Sequence, residues 1–239
     1  MLAPIEESTM SDPRAVQSMF ARIAGRYDLL NHTLSLGIDQ RWRARAVRSA
    51  GVVRGELVVD VCTGTGDLAL AFERAGARVI GVDFTTEMVR LAADKAPASA
   101  RCQFVRGDAL HLPLAGGKAS IASIAFGLRN VSDRARALAE MQRVLKPGGK
   151  ILVLEFSRPK GRFLGAVYRR YFTRVLPAVG RLVSGDGDAY TYLPRTVMAW
   201  LEPEELCAEL ARAGFVDCGW QPLTGGIACL HWGYVKARS

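Results

Sequence analysis

Residues 57–83 constrain the fold of this chain more than any other stretch. The apolar run Leu57–Val61 ends at a turn containing Gly64 and Gly66, a helical pattern follows, and the next apolar run ends at Asp83. This order is typical of a parallel α/β unit, in which nucleotides bind at the carboxyl edge of the sheet. Glycine allows the backbone to approach a ligand closely, and an acid at a strand tip can accept ribose hydroxyls. The segment therefore predicts an adenosine-containing cofactor bound by Gly64, Gly66 and Asp83.

The rest of the chain predicts a mostly parallel central sheet with helices on both faces. From Glu56 onward, strand and helix patterns alternate, which favours this α/β arrangement. Two strand patterns within 214–238 are expected to pair antiparallel at the sheet edge. The predicted strands are 57–62, 78–82, 102–105, 120–125 and 150–156, and the predicted helices are 67–75, 85–95, 133–145 and 203–213.

Two helical segments are expected to cover the sheet edge. We expect residues 1–13 to be a disordered lead-in and residues 14–239 to form a single domain. Apolar residues at helical spacing within 14–50 predict helices with a break, which would form a lid over the cofactor. Residues 162–200 combine large apolar side chains with arginines and predict a helical substrate cap.

Composition indicates a globular protein with reduced cysteines and without a bound metal. The chain has 239 residues, 49% of them hydrophobic, which is enough for a sizeable core. Its five cysteines include no CxxC pair and its three histidines lie far apart, so no metal-ligand spacing exists. The first residues lack the apolar core of a secretory signal, and we expect a cytoplasmic protein.

The formal net charge of +9 is compatible with three interpretations of the protein surface. Arginines concentrate in residues 41–48 and again in 158–181. Such a surface is compatible with solvation alone, with the inner face of an anionic membrane, or with nucleic acid. No recognised nucleic-acid motif is present, so we expect no nucleic-acid partner.

The glycine pattern alone does not identify the cofactor. The spacing Gly64-x-Gly66-x-x-Ala69 also fits a dinucleotide fingerprint, which keeps NAD open. Asp67 disfavours NAD, because its carboxylate lies near the helix N-terminus, where a pyrophosphate would otherwise bind. The same carboxylate tolerates a cationic ammonium group. After the third strand, Gly107-Asp108-Ala109 supplies an acid and a backbone amide that can recognise an adenine edge.

Several separated motifs resemble the ubiquinone/menaquinone biosynthesis C-methyltransferases. RVLKPGGKILVLEFS at 143–157 is similar to the second signature of that family, and YDLLNHTLSLGIDQRW at 27–42 to the first. The segments FGLRNVSD, YTYLP and LTGGIACLHWGY also resemble family segments and keep their order. The resemblance covers about residues 14–236.

This resemblance implies a Rossmann-like class I methyltransferase that uses S-adenosylmethionine. By motif position, the cofactor contacts of the family fall on Thr65, Asp83, Asp108 and Ala109. The resemblance also implies methyl transfer to a ring carbon of a prenylated quinol in menaquinone or ubiquinone biosynthesis, with demethylmenaquinol as the expected acceptor. Because such quinols reside in bilayers, we expect peripheral, reversible membrane association.

Three positions depart from the family pattern. Leu29 stands where methionine is frequent, and Asp39 stands where a histidine is usual. Ala125 stands where a serine often occurs, so one hydroxyl contact is either absent or supplied by Ser123.

Arg129 and Asn130 follow the fourth strand at the cofactor edge and are the predicted catalytic residues. A quinol hydroxyl has a phenol-like pKa of about 10, so a site that methylates the ring must favour the phenolate. Arg129 can stabilise that oxyanion or orient a water that removes the proton, or it only pins a loop through Asp133. Asn130 can bond a ring oxygen. The candidate substrate-binding residues are Tyr190, Tyr192 and His231, with core packing as the alternative for all three.

Other functions stay open at this stage. A methyltransferase for another small phenolic or lipid acceptor would share the cofactor site. An NAD-dependent oxidoreductase would share the glycine turn, although no recognisable Tyr-x-x-x-Lys pair is present. A non-enzymatic module that binds isoprenoids or nucleic acid would explain the charge but not the cofactor residues. The assembly is also open, with a homodimer among the states the sequence allows.

Overall fold

A seven-stranded sheet is the centre of the fold in the computed structural model, which describes residues 13–35, 37–161, 165, 168, 170 and 187–237. The strand order is β3-β2-β1-β4-β5-β7-β6. Strands β1 to β5 pair parallel, and β7 and β6 extend the sheet antiparallel. This topology confirms the predicted fold class. The strands are β1 (Leu57–Val61), β2 (Arg78–Asp83), β3 (Cys102–Arg106), β4 (Ala119–Ala125), β5 (Leu145–Phe156), β6 (Phe215–Leu223) and β7 (Ala228–Val235).

Helices cover both faces of the sheet. Leu138 of α5 and Leu206 of α7 are buried on one face, and Trp42 of α2 and Phe72 of α3 on the other. Because both faces are covered, a central strand such as β4 is apolar or small at every position, which is typical of parallel sheets. The helices are α1 (Pro13–Leu34), α2 (Ile38–Ala50), α3 (Asp67–Arg74), α4 (Thr86–Lys95), α5 (Arg134–Val144), α6 (Gly187–Met198) and α7 (Pro203–Arg212).

The described elements match the predicted ones closely, with one informative difference. Strand β5 already pairs with β4 at Leu145, and the pairing resumes at Lys150 after a register shift. The KPGG turn therefore interrupts the strand as a bulge, and Gly148 takes the positive φ of 74° that such a bend favours.

The predicted N-terminal helices are present as α1 and α2, which separate between Leu34 and Ile38. Of the predicted cap 162–200, helix α6 and a few further residues are described, and the rest lies outside the described residues, as do residues 1–12. The division into a lead-in and a single domain stays a prediction. None of the described helices combines the length and apolar character that crossing a bilayer requires.

His231 lies in the core of the antiparallel edge. It is 2% exposed on β7, and its Nε2 lies 3.1 Å from the carbonyl oxygen of Pro203, where α7 begins. Within the described part of the chain, its Nδ1 has no hydrogen-bond partner. Burial lowers the pKa of His231 from the ordinary 6.5 to about 4, against the opposing effect of the hydrogen bond to Pro203. The neutral ring is therefore the folded form near neutral pH.

This burial predicts a measurable acid sensitivity. Between pH 6.5 and 4 the unfolded chain binds a proton that the folded chain does not, so the free energy of unfolding falls as the pH falls. From pH 7 to pH 5, His231 should contribute about 2 kcal/mol to that loss. His231→Gln keeps a donor for Pro203 without the titration. Urea unfolding at both pH values should show a smaller loss in the variant, and equal losses would contradict the prediction.

Candidate active site

A cleft opens at the carboxyl ends of β1 to β4, where the glycine turn predicts a ligand. Helix α1 forms one wall through side chains such as Phe20 and Tyr27. The cleft has an empty volume of about 940 Å³, including the part that is open to solvent. This volume is within the range of pockets that hold a small molecule. The polar groups at its strand tips belong to residues that include Gly64, Asp83, Asp108 and Asn130.

Asp83 links the tip of β2 to the glycine turn. Its Oδ2 accepts a hydrogen bond from the backbone N–H of Gly64 at 2.8 Å, and its Oδ1 accepts one from Thr85 at 2.9 Å. Burial raises the pKa of Asp83, and these backbone hydrogen bonds oppose that shift. Each carboxylate oxygen has two lone pairs, and these two backbone donors use one on each oxygen. The carboxylate can therefore still accept two hydroxyls from a ligand in the cleft.

The backbone of the glycine turn is open to such a ligand. Gly64 has a φ of 56°, and a methyl group in place of its hydrogen would meet no atom nearer than Cε1 of Tyr27, at 4.0 Å. Asp108 and Ala109 line the same cleft after β3, and the backbone N–H of Leu110 donates to Oδ1 of Asp108 at 2.8 Å. Their positions fit an adenosine group that spans β1 to β3.

Thr65 and Gly66 lie on the far side of the same turn. The buried hydroxyl of Thr65 donates to the carboxylate of Asp28 on α1, and Nζ of Lys95 lies 3.2 Å from it. Gly66 has a φ of 83°, and a Cβ there would lie 3.0 Å from the ring of Phe104. Neither residue lines the cleft, and Thr65 lines a smaller polar pocket beside it. Their binding roles stay predictions.

Asp28, His32 and Asp67 bring potential metal-ligating atoms within 4.8 Å of one another. The ammonium group of Lys95 already lies 2.7 Å from a carboxylate oxygen of Asp28 and 2.7 Å from one of Asp67. The two carboxylates thus share a cation that the chain supplies. This network fastens α1 to α3 and α4, beside the glycine turn.

Arg129 is held by a buried ion pair. Its Nη1 lies 2.7 Å from Oε1 of Glu155 on β5 and donates to the carbonyl oxygen of Phe126 at 2.5 Å. The guanidinium also stacks on the ring of Phe156, with Cζ 5.3 Å from its centroid. Asp133, the suggested loop partner, instead caps α5 by accepting the N–H of Arg136. The suggested pairing of Arg129 with Asp133 was wrong, because Asp133 is the side-chain acceptor at the N-cap of α5.

Asn130 lines the cleft beside this pair, whereas Arg129 does not. The hydroxyl of Tyr192 on α6 donates to Oδ1 of Asn130 at 2.9 Å. Burial raises the pKa of Tyr192, against the opposing effect of Arg129, so its hydroxyl stays a donor. Tyr190 also lies on α6, but its side chain is outside the part of the chain that the structure describes.

Two features of the site were missed by sequence reasoning. Glu155 is a lone acid in the apolar run LVLEF, and such a residue signals a buried charge that needs a cation. Lys95 carries no comparable signal. The hydroxyl of Ser123 donates to Oδ1 of Asp60 at 2.7 Å beneath the turn, so it does not replace a hydroxyl at Ala125.

Backbone strain is also concentrated at this cleft. Cys62 and Phe126, which follow β1 and β4, have φ values of 52° and 57° without being glycine, and both line the cleft. Such strain persists only where the surrounding structure holds it, and it clusters at functional sites.

Comparison with known proteins identifies relatives that match most of the chain. The model of the ubiE/COQ5 methyltransferase family matches residues 8–235. A demethylmenaquinone methyltransferase of Thermus thermophilus is 49% identical over 218 residues, covering 90% of this chain and 99% of that protein. A ubiquinone/menaquinone biosynthesis C-methyltransferase of Syntrophotalea carbinolica is 46% identical, covering 90% and 92%.

Solved structures share the fold at low sequence identity. A S-adenosylmethionine-dependent methyltransferase from Thermotoga maritima, a possible histamine N-methyltransferase, has a TM-score of 0.65 at 21% identity, covering 92% of this chain and 99% of that one. The [4+2]-cyclase SpnF has a TM-score of 0.70 at 18% identity, covering 95% and 97%. Because a cyclase shares it, the fold alone does not fix the reaction.

The buried pair of Arg129 and Glu155 predicts strong energetic coupling. Arg129→Met should lower the free energy of unfolding by about 3–5 kcal/mol, because Glu155 would be left as an unpaired buried charge. Glu155→Met should act similarly. The double variant should be far less destabilised than the sum of the two, as urea unfolding of all four proteins would measure.

The half-exposed pair of Arg134 and Glu209, 3.1 Å apart, is the matched control. The same cycle there should give a coupling of about 1 kcal/mol or less. If the losses in the free energy of unfolding caused by Arg129→Met and Glu155→Met simply add, the predicted coupling of this ion pair is contradicted.

Proposed function

Because the chain belongs to the ubiE/COQ5 methyltransferase family, we propose that it transfers the methyl group of S-adenosylmethionine to a ring carbon of a prenylated quinol. Demethylmenaquinol is the proposed acceptor, since relatives at 49% and 47% identity bear the name demethylmenaquinone methyltransferase. Membership of this family excludes the NAD-dependent oxidoreductase that the glycine turn left open. A different phenolic or lipid acceptor is the remaining alternative.

One observation carries the proposal: polar groups from four adjacent strand tips meet in a single cleft. Asp108 and Ala109 follow β3, Asp83 ends β2, Gly64 follows β1 and Asn130 follows β4. The first three tips suit an adenosine group, and the fourth suits an acceptor ring beside it. S-adenosylmethionine, when bound there, supplies an electrophilic methyl group on a positively charged sulfur.

Asn130 is the residue that we assign to the acceptor. Its Oδ1 is taken up by the hydroxyl of Tyr192, which fixes the orientation of the amide. The amide nitrogen is a donor of two hydrogens, one of which points to the carbonyl oxygen of Phe126 at 3.4 Å. The second is available for a quinol oxygen, where it would favour the phenolate form that carbon methylation needs.

Arg129 acts, in this proposal, chiefly by positioning the Asn130 loop. Its guanidinium is engaged with Glu155 and with the carbonyl oxygen of Phe126. Arg129 does not line the cleft, so a direct contact with the quinol oxygen, as predicted from the sequence, requires its side chain to move toward the cleft. The position of His231 in the core gives no support to its predicted role in the quinol pocket.

Helix α1 supplies the means to exclude water from the reacting atoms. Val16, Phe20 and Tyr27 line the cleft with apolar surface, and the ring of Tyr27 meets that of Phe20 edge-on at 6.0 Å. An apolar wall also suits the quinol ring. Holding the ring carbon about 3–3.5 Å from the methyl group is the main catalytic task of such a site.

We also propose reversible contact with an anionic membrane face, where the quinol resides. Arg41, Arg45 and Arg48 are exposed at spacings of four and three residues and so share one face of α2. The charge and the exposure of these three arginines support this proposal.

The proposed function predicts separate effects on binding and turnover. Wild-type protein with S-adenosylmethionine and a short-chain demethylmenaquinol should give a product heavier by one CH2, as mass spectrometry would detect. Asp83→Asn should weaken S-adenosylhomocysteine binding by about 10- to 100-fold, because a charged acceptor is lost. Asn130→Ala should lower kcat with unchanged affinity for that nucleoside.

Asp94→Asn, on the exposed face of α4, is the control and should leave both quantities unchanged. Binding of the nucleoside without a methylated quinol would favour another acceptor. Absence of nucleoside binding to the wild-type protein would overturn the proposal.

The membrane contact is tested by flotation with vesicles that contain anionic lipid. Changing Arg41, Arg45 and Arg48 together to Gln should lower partitioning by about 100-fold, since each arginine contributes about 1 kcal/mol near such a surface. The matched control changes three other exposed arginines to Gln and should have little effect. Binding that is insensitive to anionic lipid, to salt and to the first triple variant would contradict this contact. The control residues are Arg74, Arg78 and Arg101.

A further inference from the structure

A small polar pocket lies beside the glycine turn and continues the cleft. We call it the side pocket. It has charged walls formed by Arg43, Asp60 and Asp67. Four residues line both spaces, which places the side pocket directly beside the cleft. These shared residues are Tyr27, Cys62, Gly64 and Ala125.

The direction of a bound nucleoside follows from the strand order β3-β2-β1-β4. If adenine lies at Asp108 after β3 and ribose at Asp83 on β2, the 5′ substituent extends over Gly64 after β1. The side pocket is the next space along that line. The 5′ substituent of S-adenosylmethionine ends in an amino acid, with one carboxylate and one ammonium group.

Arg43 is the cation of the side pocket. Its side chain is 10% exposed, and its Nη1 donates to Oδ2 of Asp39 at 2.5 Å. Its Cζ lies 5.3 Å from the centroid of the Phe126 ring, and its Nη2 lies 4.0 Å from Oδ2 of Asp67. Among the described residues, Asp39 alone accepts a hydrogen bond from Arg43, and a guanidinium has five N–H donors. The group is therefore fixed in place with donors to spare.

Asp39 explains how Arg43 is held. This carboxylate is buried, and it accepts hydrogen bonds from Oγ of Ser35 at 2.6 Å and from Arg43. Burial acts to raise the pKa of Asp39, but the hydrogen bond from Ser35 and the charge of Arg43 hold it below its ordinary value. Asp39 stands where the family resemblance places a histidine, and here it is a counter-ion that orients an arginine.

We propose that Arg43 binds the carboxylate of the amino-acid end of S-adenosylmethionine, with Asp39 as its positioning residue. This inference rests on the proposed function and adds a determinant of cofactor specificity. Arginine suits this task, because its planar fork matches a carboxylate. The cofactor would thus be anchored at two points, by Asp83 at the ribose and by Arg43 at the carboxylate. Nucleosides that lack the carboxylate should then bind weakly.

Calorimetry with two nucleosides tests this directly. S-adenosylhomocysteine carries the carboxylate, and S-adenosyl-3-thiopropylamine lacks only that group. Wild-type protein should prefer the first. Arg43→Met should weaken the binding of S-adenosylhomocysteine by about 10- to 100-fold and leave the binding of the amine unchanged. Arg74→Met, an exposed arginine at the end of α3, is the matched control and should change neither affinity.

The outcomes separate this inference from the function on which it rests. If Arg43→Met keeps the full preference for S-adenosylhomocysteine, the inference is overturned while the proposed function stands. If the wild-type protein binds neither nucleoside, the proposed function fails. If the variant loses both nucleosides, Arg43→Gln combined with Asp39→Asn removes both buried charges together. A selective loss of S-adenosylhomocysteine in that double variant supports the role of Arg43, and an equal loss of both nucleosides overturns it.

Discussion

The carboxylate of Asp83 is the point on which the geometry of the cleft depends. Its two oxygens accept the backbone N–H groups of Gly64 and Thr85, and its carbonyl oxygen accepts the N–H of Gly107. One residue thus joins the turn after β1, the start of α4 and the loop after β3. Since burial disfavours a charged carboxylate, these amides must stabilise it before a ligand arrives. The same hydrogen bonds fix the directions of the lone pairs that would accept the ribose hydroxyls.

Paired charges then fasten the remaining walls to this centre. Arg43 of α2 is oriented by Asp39 on the same helix and lies 4.0 Å from Asp67. Lys95 of α4 lies between Asp28 of α1 and Asp67 of α3, so α1 is tied to the elements that flank the glycine turn. The pair of Arg129 and Glu155 does the same for the loop after β4. Buried or partly buried ions without partners would be costly, which explains why these residues occur as sets. The consequence for function is preorganisation: the groups that meet cofactor and acceptor are positioned by contacts within the chain.

Local patterns predicted the architecture because each of them has a local cause. The strand and helix periods, the glycine turn and the acid at the tip of β2 can be seen within 57–83, and the structure confirms their arrangement. The motifs that resemble the family predicted the reaction class in the same way, and the family match of residues 8–235 confirms it.

Long-range contacts could not be predicted from such patterns. Arg129 pairs with Glu155 across two neighbouring strands rather than with nearby Asp133, and only the register of β4 against β5 decides this. Likewise, His231 lies in the core because its register on β7 places it beside α7. The donor to Asn130 comes from Tyr192 on a distant helix. In each case the partner is chosen by packing, which single residues in a sequence do not reveal.

The most direct test of the central claim is a crystal structure of the protein with S-adenosylhomocysteine. We expect the ribose hydroxyls within hydrogen-bond distance of the Asp83 carboxylate and the adenine beside Asp108 and Ala109. A nucleoside bound elsewhere, or one whose hydroxyls make no contact with Asp83, would contradict the claim that this cleft is the methyl-donor site.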